Sequence, residues 1–348
     1  MGRNQSAVVC CAVVLAVGCV LTGRASQTTG PPARLSQIDW EPALAAAEDL
    51  PRLYSLLVSH RGEISLERYY HGRDASRVAN LKSASKSVIS ALVGIAIERG
   101  HIEGVEQPIE DFFPELARES DAHKREIAVE DLLTMRSGLE STSNRHYGAW
   151  VLSSNWVRHA LTRRLLHEPG TVMDYSTGNT HLLSAILTKA SGTNTRAFAQ
   201  KVLAEPLGFT LANWPRDPQG IYFGGNDMLM TPRQMLAFGE LYLNGGVVNG
   251  RRVVSQAWID RSFIPRGRSH YSDQQYGYGW WIRELGGYQT YYAWGYGGQF
   301  IFIVPDLDLV VVATSSESVG ARRRGHRRTL YEIVEQLVIE PVAGAAAN

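Results

Sequence analysis

The sequence predicts an α/β chain of the α+β kind: an antiparallel sheet built from both chain ends, flanked by helices, with an inserted mainly helical region over about residues 104–255. Three observations carry this. Branched and aromatic runs that read as strands cluster near the two ends, apolar residues at helical spacing dominate the middle, and no internal repeat or heptad pattern interrupts the order. At 348 residues and 44% hydrophobic, the chain can bury a substantial core. Its formal charge of +1 argues against a dedicated nucleic-acid binder, which needs a strong basic excess.

Residues 1–25 read as a signal peptide. Arg3 is followed by an uncharged apolar run from Ala7 to Leu21, and Gly23-Arg24-Ala25 offers small residues for cleavage after Ala25. Ala16-Val17-Gly18-Cys19 is an imperfect lipobox, so a lipid anchor through Cys19 is the second processing route. Either route predicts export, to the periplasm or medium or as a membrane-attached lipoprotein. All three cysteines (Cys10, Cys11 and Cys19) fall in this segment, which leaves the mature body without a disulfide, a thiolate nucleophile or a cysteine metal ligand. Residues 26–50 read as an arm and a first helix from Pro42 to Leu50, and 51–345 as the main domain.

Tyr54–Val58 and Ile64–Tyr70 flank a turn at Gly62 and predict a hairpin. Ser87–Arg99, with Val88, Leu92, Ile95 and Ala96 on one stripe, predicts a helix that stops at Gly100. Further helices are expected from Ile127 to Met135, His181 to Ala190, Pro232 to Leu243 and Leu330 to Leu337. Strands are expected over Tyr278–Arg283, Phe300–Val304 and Leu309–Thr314, the last two joined at Pro305-Asp306.

The chemistry centres on Ser83-Ala84-Ser85-Lys86. Residues three apart share a helix face, so a Ser83 hydroxyl can meet a Lys86 amine, and an amine buried in an apolar cleft can lose its proton and act as base. The chain holds five lysines against thirty arginines, and this is its one Ser-x-x-Lys. Ser-x-x-Lys is short, however, and alone it is equally compatible with a surface lysine at a helix start. Gly-x-Ser-x-Gly and His-Glu-x-x-His are absent, which disfavours a standard α/β-hydrolase and a zinc protease. His60, His146 and His181 lack metal-ligand spacing.

Further motifs follow in order: Val129 to Leu139, Pro169-Gly170-Thr171 through Tyr175-Ser176-Thr177, Met230-Thr231-Pro232-Arg233, and Gly295-Tyr296-Gly297-Gly298-Gln299. With Ser83–Lys86 they make the chain resemble the β-lactamase-related serine hydrolases: class C β-lactamases, D-alanyl-D-alanine carboxypeptidases, esterases of that fold and 6-aminohexanoate oligomer hydrolases. The resemblance runs from about Tyr54 to the last helix and implies a β-lactamase/transpeptidase-like fold. It also implies an acyl-enzyme on Ser83, with Lys86 and Tyr175 sharing proton transfer and Tyr175 favoured as phenolate beside the ammonium. The oxyanion would lie between the Ser83 and Tyr296 amides, no cofactor or metal would be needed, and the partner would be a small-molecule ester or amide. Thr177, Asn226, Trp294, Gly295 and Gly297 are the implied substrate contacts. Trp150, Trp156, Tyr222, Trp280, Tyr292 and Trp294 lie in blocks that border the cleft in the family.

Two departures redirect the substrate. The family's Tyr-x-Asn is Tyr175-Ser176-Thr177 here, and one hydroxyl replaces an amide donor and acceptor. The family's Lys-Thr-Gly or His-x-Gly is matched by Trp294–Gly298, which has no cation. Both changes point to esters or small amides ahead of β-lactams or a D-Ala-D-Ala stem. A catalytically silent sensor for cell-wall fragments is the reading from a different class. Arg322–Arg328 reads as a solvated basic loop, or as the source of an arginine that replaces the missing cation.

Overall fold

The computed structural model describes residues 38–318 and 323–347. The expected signal peptide, the three cysteines, the arm up to Gln37 and Arg322 lie outside the described residues.

Numbering only the strands of the main sheet, the chain runs from a helix α1 (Glu41–Glu48) into the hairpin β1 (Leu53–His60) and β2 (Glu63–Tyr69). The helix α2 (Ser85–Glu98) follows. The helical region contributes α3 (Thr177–Ser191) and α4 (Pro232–Leu243), with short helices and 3-10 turns between them. The sheet resumes with β3 (Gly267–Arg268), β4 (Gln275–Tyr276), β5 (Trp281–Leu285), β6 (Tyr288–Gly295), β7 (Gln299–Val304) and β8 (Leu309–Ser315), and α5 (Arg323–Val334) begins the C-terminal helices. The strand order is β2-β1-β8-β7-β6-β5-β4-β3, with antiparallel neighbours throughout. The first hairpin therefore joins the sheet through the last strand, Leu57 opposite Val312 and His60 opposite Leu309. This is the expected sheet assembled from both ends.

Side-chain alternation divides the sheet between two cores. Leu57, Ile301, Ile303, Val310 and Val312 pack with α2 and the inserted helices. Leu56, Val58, Phe300, Phe302, Leu309, Val311 and Ala313 pack on the other face with Ala47 of α1 and Leu330, Ile333 and Val334 of α5. These strands are apolar at consecutive positions because both faces are covered.

Several expectations change. The strand expected over Tyr278–Arg283 starts only at Trp281, after a bend at Gly279 with φ 78°, and the helix expected from His181 starts at Thr177. The helix expected over Ile127–Met135 spans only Val129–Leu133, because Met135 turns to φ 61°. The strand at Tyr288–Gly295 was not expected; Gln289 and Thr290 break its apolar run, although Thr290 is buried. The C-terminal helix begins earlier than Leu330, at Arg323.

Candidate active site

Ser83 lies in a 3-10 turn, Lys82–Ala84, that leads into α2. Amides at such a helix start have no partner within the helix and are available to an oxyanion. The approach to this turn is held from both sides. Leu81 N–H donates to Met228 O at 2.9 Å, and Ala79–Asn80 pairs with Leu229–Met230. Lys82 takes a left-handed conformation, φ 50°, which costs about 1–2 kcal/mol in a residue with a Cβ. Compensating contacts hold it: its amide donates to Asn80 Oδ1 at 2.9 Å, and its ammonium meets Asp227 at 2.8 Å and Glu317 at 2.6 Å.

One turn along α2, Lys86 is 1% exposed. Its Nζ reaches Ser83 Oγ at 3.2 Å, Thr177 Oγ1 at 3.4 Å and the Gly225 carbonyl. Burial pulls its pKa down from 10.5 to about 7, with Asp227 opposing the shift. A large fraction is therefore neutral amine near pH 7, as a general base for Ser83 requires.

Tyr175 precedes α3. Its ring stacks on Trp281 at 5.7 Å and meets the edge of Tyr276 at 6.3 Å, and Ser83 is the polar side chain that acts on its phenol, favouring the charged form. The expected phenolate is not favoured. Enclosure raises the Tyr175 pKa, the Ser83 contact only partly offsets this, and Lys86 lies over the ring face, 5.1 Å from its centroid. Of the two groups the lysine is the better base, and the tyrosine stays a neutral phenol.

The segment Ser141-Thr142-Ser143 is stitched alongside this tyrosine. Ser141 Oγ donates to Tyr175 O at 2.7 Å, Gly178 N–H donates to Thr142 Oγ1 at 2.8 Å, and Thr177 N–H donates to Ser143 Oγ at 2.8 Å. Ser143 Oγ also lies 2.9 Å from Thr177 Oγ1. Thr177, expected on the substrate side, is 5% exposed and is engaged with Lys86 and Ser143, although it still borders the cleft.

The glycine-rich turn follows β6. A Cβ on Gly295 would lie 2.0 Å from Leu81 O, so only glycine lets the strand end approach the turn that carries Ser83 this closely. Gly297 and Gly298 have φ 96° and 112°, and Tyr296 lines the cleft between them and Gly295. Behind the turn, Arg52 donates to Gly297 O at 3.0 Å and Ser316 O at 2.6 Å. His326 meets Ser315 Oγ at 2.9 Å.

A cleft of about 1260 Å³ opens over Ser83. Thr177, Asn226, Trp294 and Tyr296 line it, and Asn226 Nδ2 donates to the Tyr147 hydroxyl at 2.9 Å. Gly295 and Gly297 shape the turn from behind and do not line it. Of the six aromatic residues expected at the border, only Trp294 does; Trp150, Trp156, Tyr222, Trp280 and Tyr292 are buried in the cores, where their area stabilises the fold. Tyr147, Tyr271 and Trp281 supply the aromatic walls instead. Arg327 also borders the cleft, its guanidinium 5.0 Å from the Trp294 ring centroid. One arginine of the basic run thus stands near the place of the missing cation, while exposed Arg328 pairs with Glu332 at 2.8 Å. His181 forms a fully buried pair with Asp217 at 3.0 Å, and no group of three potential metal ligands occurs among the described residues.

The pattern of the β-lactamase family matches residues 54–336. The chain belongs to that family. It is 26% identical over 288 residues to the 6-aminohexanoate-dimer hydrolase of Paenarthrobacter ureafaciens, covering 75% of this chain and 72% of the relative. Among solved structures it is similar to the octameric penicillin-binding protein homologue of Pyrococcus abyssi, with TM-score 0.66, 18% identity, and 86% and 76% of the two chains covered. The D-stereospecific amidohydrolase of Streptomyces gives TM-score 0.63 at 17% identity, over 80% of this chain and 94% of that one. The expected β-lactamase/transpeptidase-like fold is the fold of this chain, which is a hydrolase of the β-lactamase superfamily.

Proposed function

We propose that the protein is a serine hydrolase that forms an acyl-enzyme on Ser83 and cleaves carboxylic esters or small amides. The observation that carries this is the buried Lys86 amine, 3.2 Å from Ser83 Oγ and with its pKa pulled down to about 7. In the acylation step Ser83 Oγ attacks the carbonyl carbon while its proton passes to Lys86, and Tyr175 donates a hydrogen bond at the nucleophile. The oxyanion is held by the Ser83 and Tyr296 amides. Collapse expels the alcohol or amine, and water then releases the acid by the same groups. Because Lys86 must be neutral, acylation rises with pH through about 7.

Substrate class follows from the walls of the cleft. Arg327 beside Trp294 favours a carboxylate on the substrate, as a short linear amide such as an aminohexanoate dimer would present. Thr177 turned toward Lys86 leaves no side-chain amide at the position where the family offers one, which counts against β-lactams. The residues 1–25 support export as the setting.

Steady-state kinetics on p-nitrophenyl esters, the 6-aminohexanoate dimer and nitrocefin tests the reading. Sustained turnover of esters or the dimer above nitrocefin is expected. A single burst without turnover on all three would replace the enzyme with a sensor.

A further inference from the structure

Lys86 has a second hydroxyl partner that the nucleophile's chemistry does not use. Thr177 Oγ1 lies 3.4 Å from Lys86 Nζ and 2.9 Å from Ser143 Oγ, and Ser143 borders the cleft. All three side chains are at most 6% exposed. Ser143 Oγ already accepts the Thr177 amide at 2.8 Å, which fixes its position.

The hydroxyl protons have two consistent settings. With Lys86 as ammonium, Lys86 donates to Thr177 Oγ1, Thr177 donates to Ser143 Oγ, and the Ser143 proton is turned toward the cleft. With Lys86 as amine directly after the relay has fired, the nitrogen lone pair accepts from Thr177 and Ser143 donates to Thr177; rotation about the Cε–Nζ bond then turns the one lone pair to Ser83, 3.2 Å away, for the next proton. The row of donors thus reverses with the charge on the lysine.

We propose that Lys86, Thr177 and Ser143 form a proton relay that delivers the serine proton to the leaving group, with Ser143 as its donor. This rests on the acyl-enzyme reading above. During acylation Ser83 Oγ bonds to the carbonyl carbon and its proton goes to Lys86. When the tetrahedral species collapses, the bond to the leaving nitrogen or oxygen breaks and its electron pair stays on that atom. The atom takes the Ser143 proton, Ser143 takes that of Thr177, and Thr177 takes one from Lys86, which returns to neutral amine. No proton is gained or lost. The threonine that replaces the family's asparagine is the link, because a hydroxyl can accept and donate a proton at one atom while a carboxamide does not readily do so.

The test is a series of butyrate esters running from p-nitrophenyl to ethyl. p-Nitrophenolate departs as an anion, whereas ethoxide needs a proton at departure. Ser143→Ala and Thr177→Val are expected to lose on the order of 10²-fold in kcat on the ethyl ester and far less on the p-nitrophenyl ester. The dependence of rate on leaving-group basicity should steepen. Thr177→Ser, which keeps the hydroxyl, should restore most of the ethyl ester rate. Equal losses across the series, or a Thr177→Ser enzyme as impaired as Thr177→Val, would overturn the relay and leave Tyr175 as the donor. Fluorophosphonate labelling of the wild type separates the two claims: without labelling at Ser83 the acyl-enzyme reading itself fails.

Discussion

Replacing Lys86 with methionine should abolish hydrolysis and make the protein more stable at pH 6. Methionine keeps the length and apolar stem of the side chain and removes only its charge and donors. The folded-state pKa of about 7 lies 3.5 units below the ordinary 10.5, equivalent to about 5 kcal/mol against the buried ammonium. Losing the donor to the buried Gly225 carbonyl returns about 1–3 kcal/mol of that. The expected advantage of Lys86→Met at pH 6 is therefore about 2–4 kcal/mol. Its pH dependence has a fixed sign. Between about 7 and 10.5 the unfolded chain holds a proton that the folded chain has released, so wild-type stability rises with pH across that window. Two pH units above 7 give the wild type on the order of 2–3 kcal/mol by pH 9. Urea titrations of both proteins at pH 6, 7, 8 and 9 read the difference directly, and other titrating groups cancel between them. A difference that does not move with pH would refute the argument, because Lys86 would then titrate normally and could not serve as a neutral base.

The other predictions use the same sites. Tyr175→Phe keeps the stack on Trp281 and removes only the phenol, so kcat on esters should fall by about 10²-fold or more while the melting temperature stays close to wild type. Gly295→Ala puts a Cβ against Leu81 O; displacement of the strand end should cost about 1–3 kcal/mol by urea titration and lower acylation as the Tyr296 amide shifts. His181→Leu leaves the buried Asp217 Oδ2 without its hydrogen-bond partner and should destabilise by about 1–3 kcal/mol in the same assay. Arg327→Ala should raise KM for carboxylate-bearing amides several-fold and leave uncharged p-nitrophenyl esters little changed, as steady-state kinetics on matched pairs would show.

Local spacing made Ser83 and Lys86 legible, since three residues on a helix fix their juxtaposition before any tertiary contact is known. Tyr175 and the Gly295–Gly298 turn became legible through ordered motifs. Ser143 did not, because it lies in an irregular Ser/Thr stretch with no periodicity, and its meaning depends on the side-chain contact with Thr177. Gly225 acts through its backbone carbonyl, which leaves no trace in residue type, and Arg52 donates from its side chain to the carbonyls of Gly297 and Ser316, partners that no motif marks. The aromatic residues were misplaced for a related reason. Trp150 and Trp280 have a composition suited to either a cleft or a core, and only the packing of α3 and α4 against the sheet assigns them to the core. The sheet's outline was readable because both its faces are covered and its strands are continuously apolar. Strand β6 escaped because Gln289 and Thr290 sit at its start.

The central claim is that Ser83 is an acylated nucleophile primed by Lys86. Intact-mass and peptide-mapping mass spectrometry after a fluorophosphonate pulse tests it most directly. The account predicts one phosphonyl group per chain on the Ser83 peptide, a labelling rate that rises with pH through about 7, and no label in Ser83→Ala. Label on another residue, or undiminished labelling of Ser83→Ala, would contradict it.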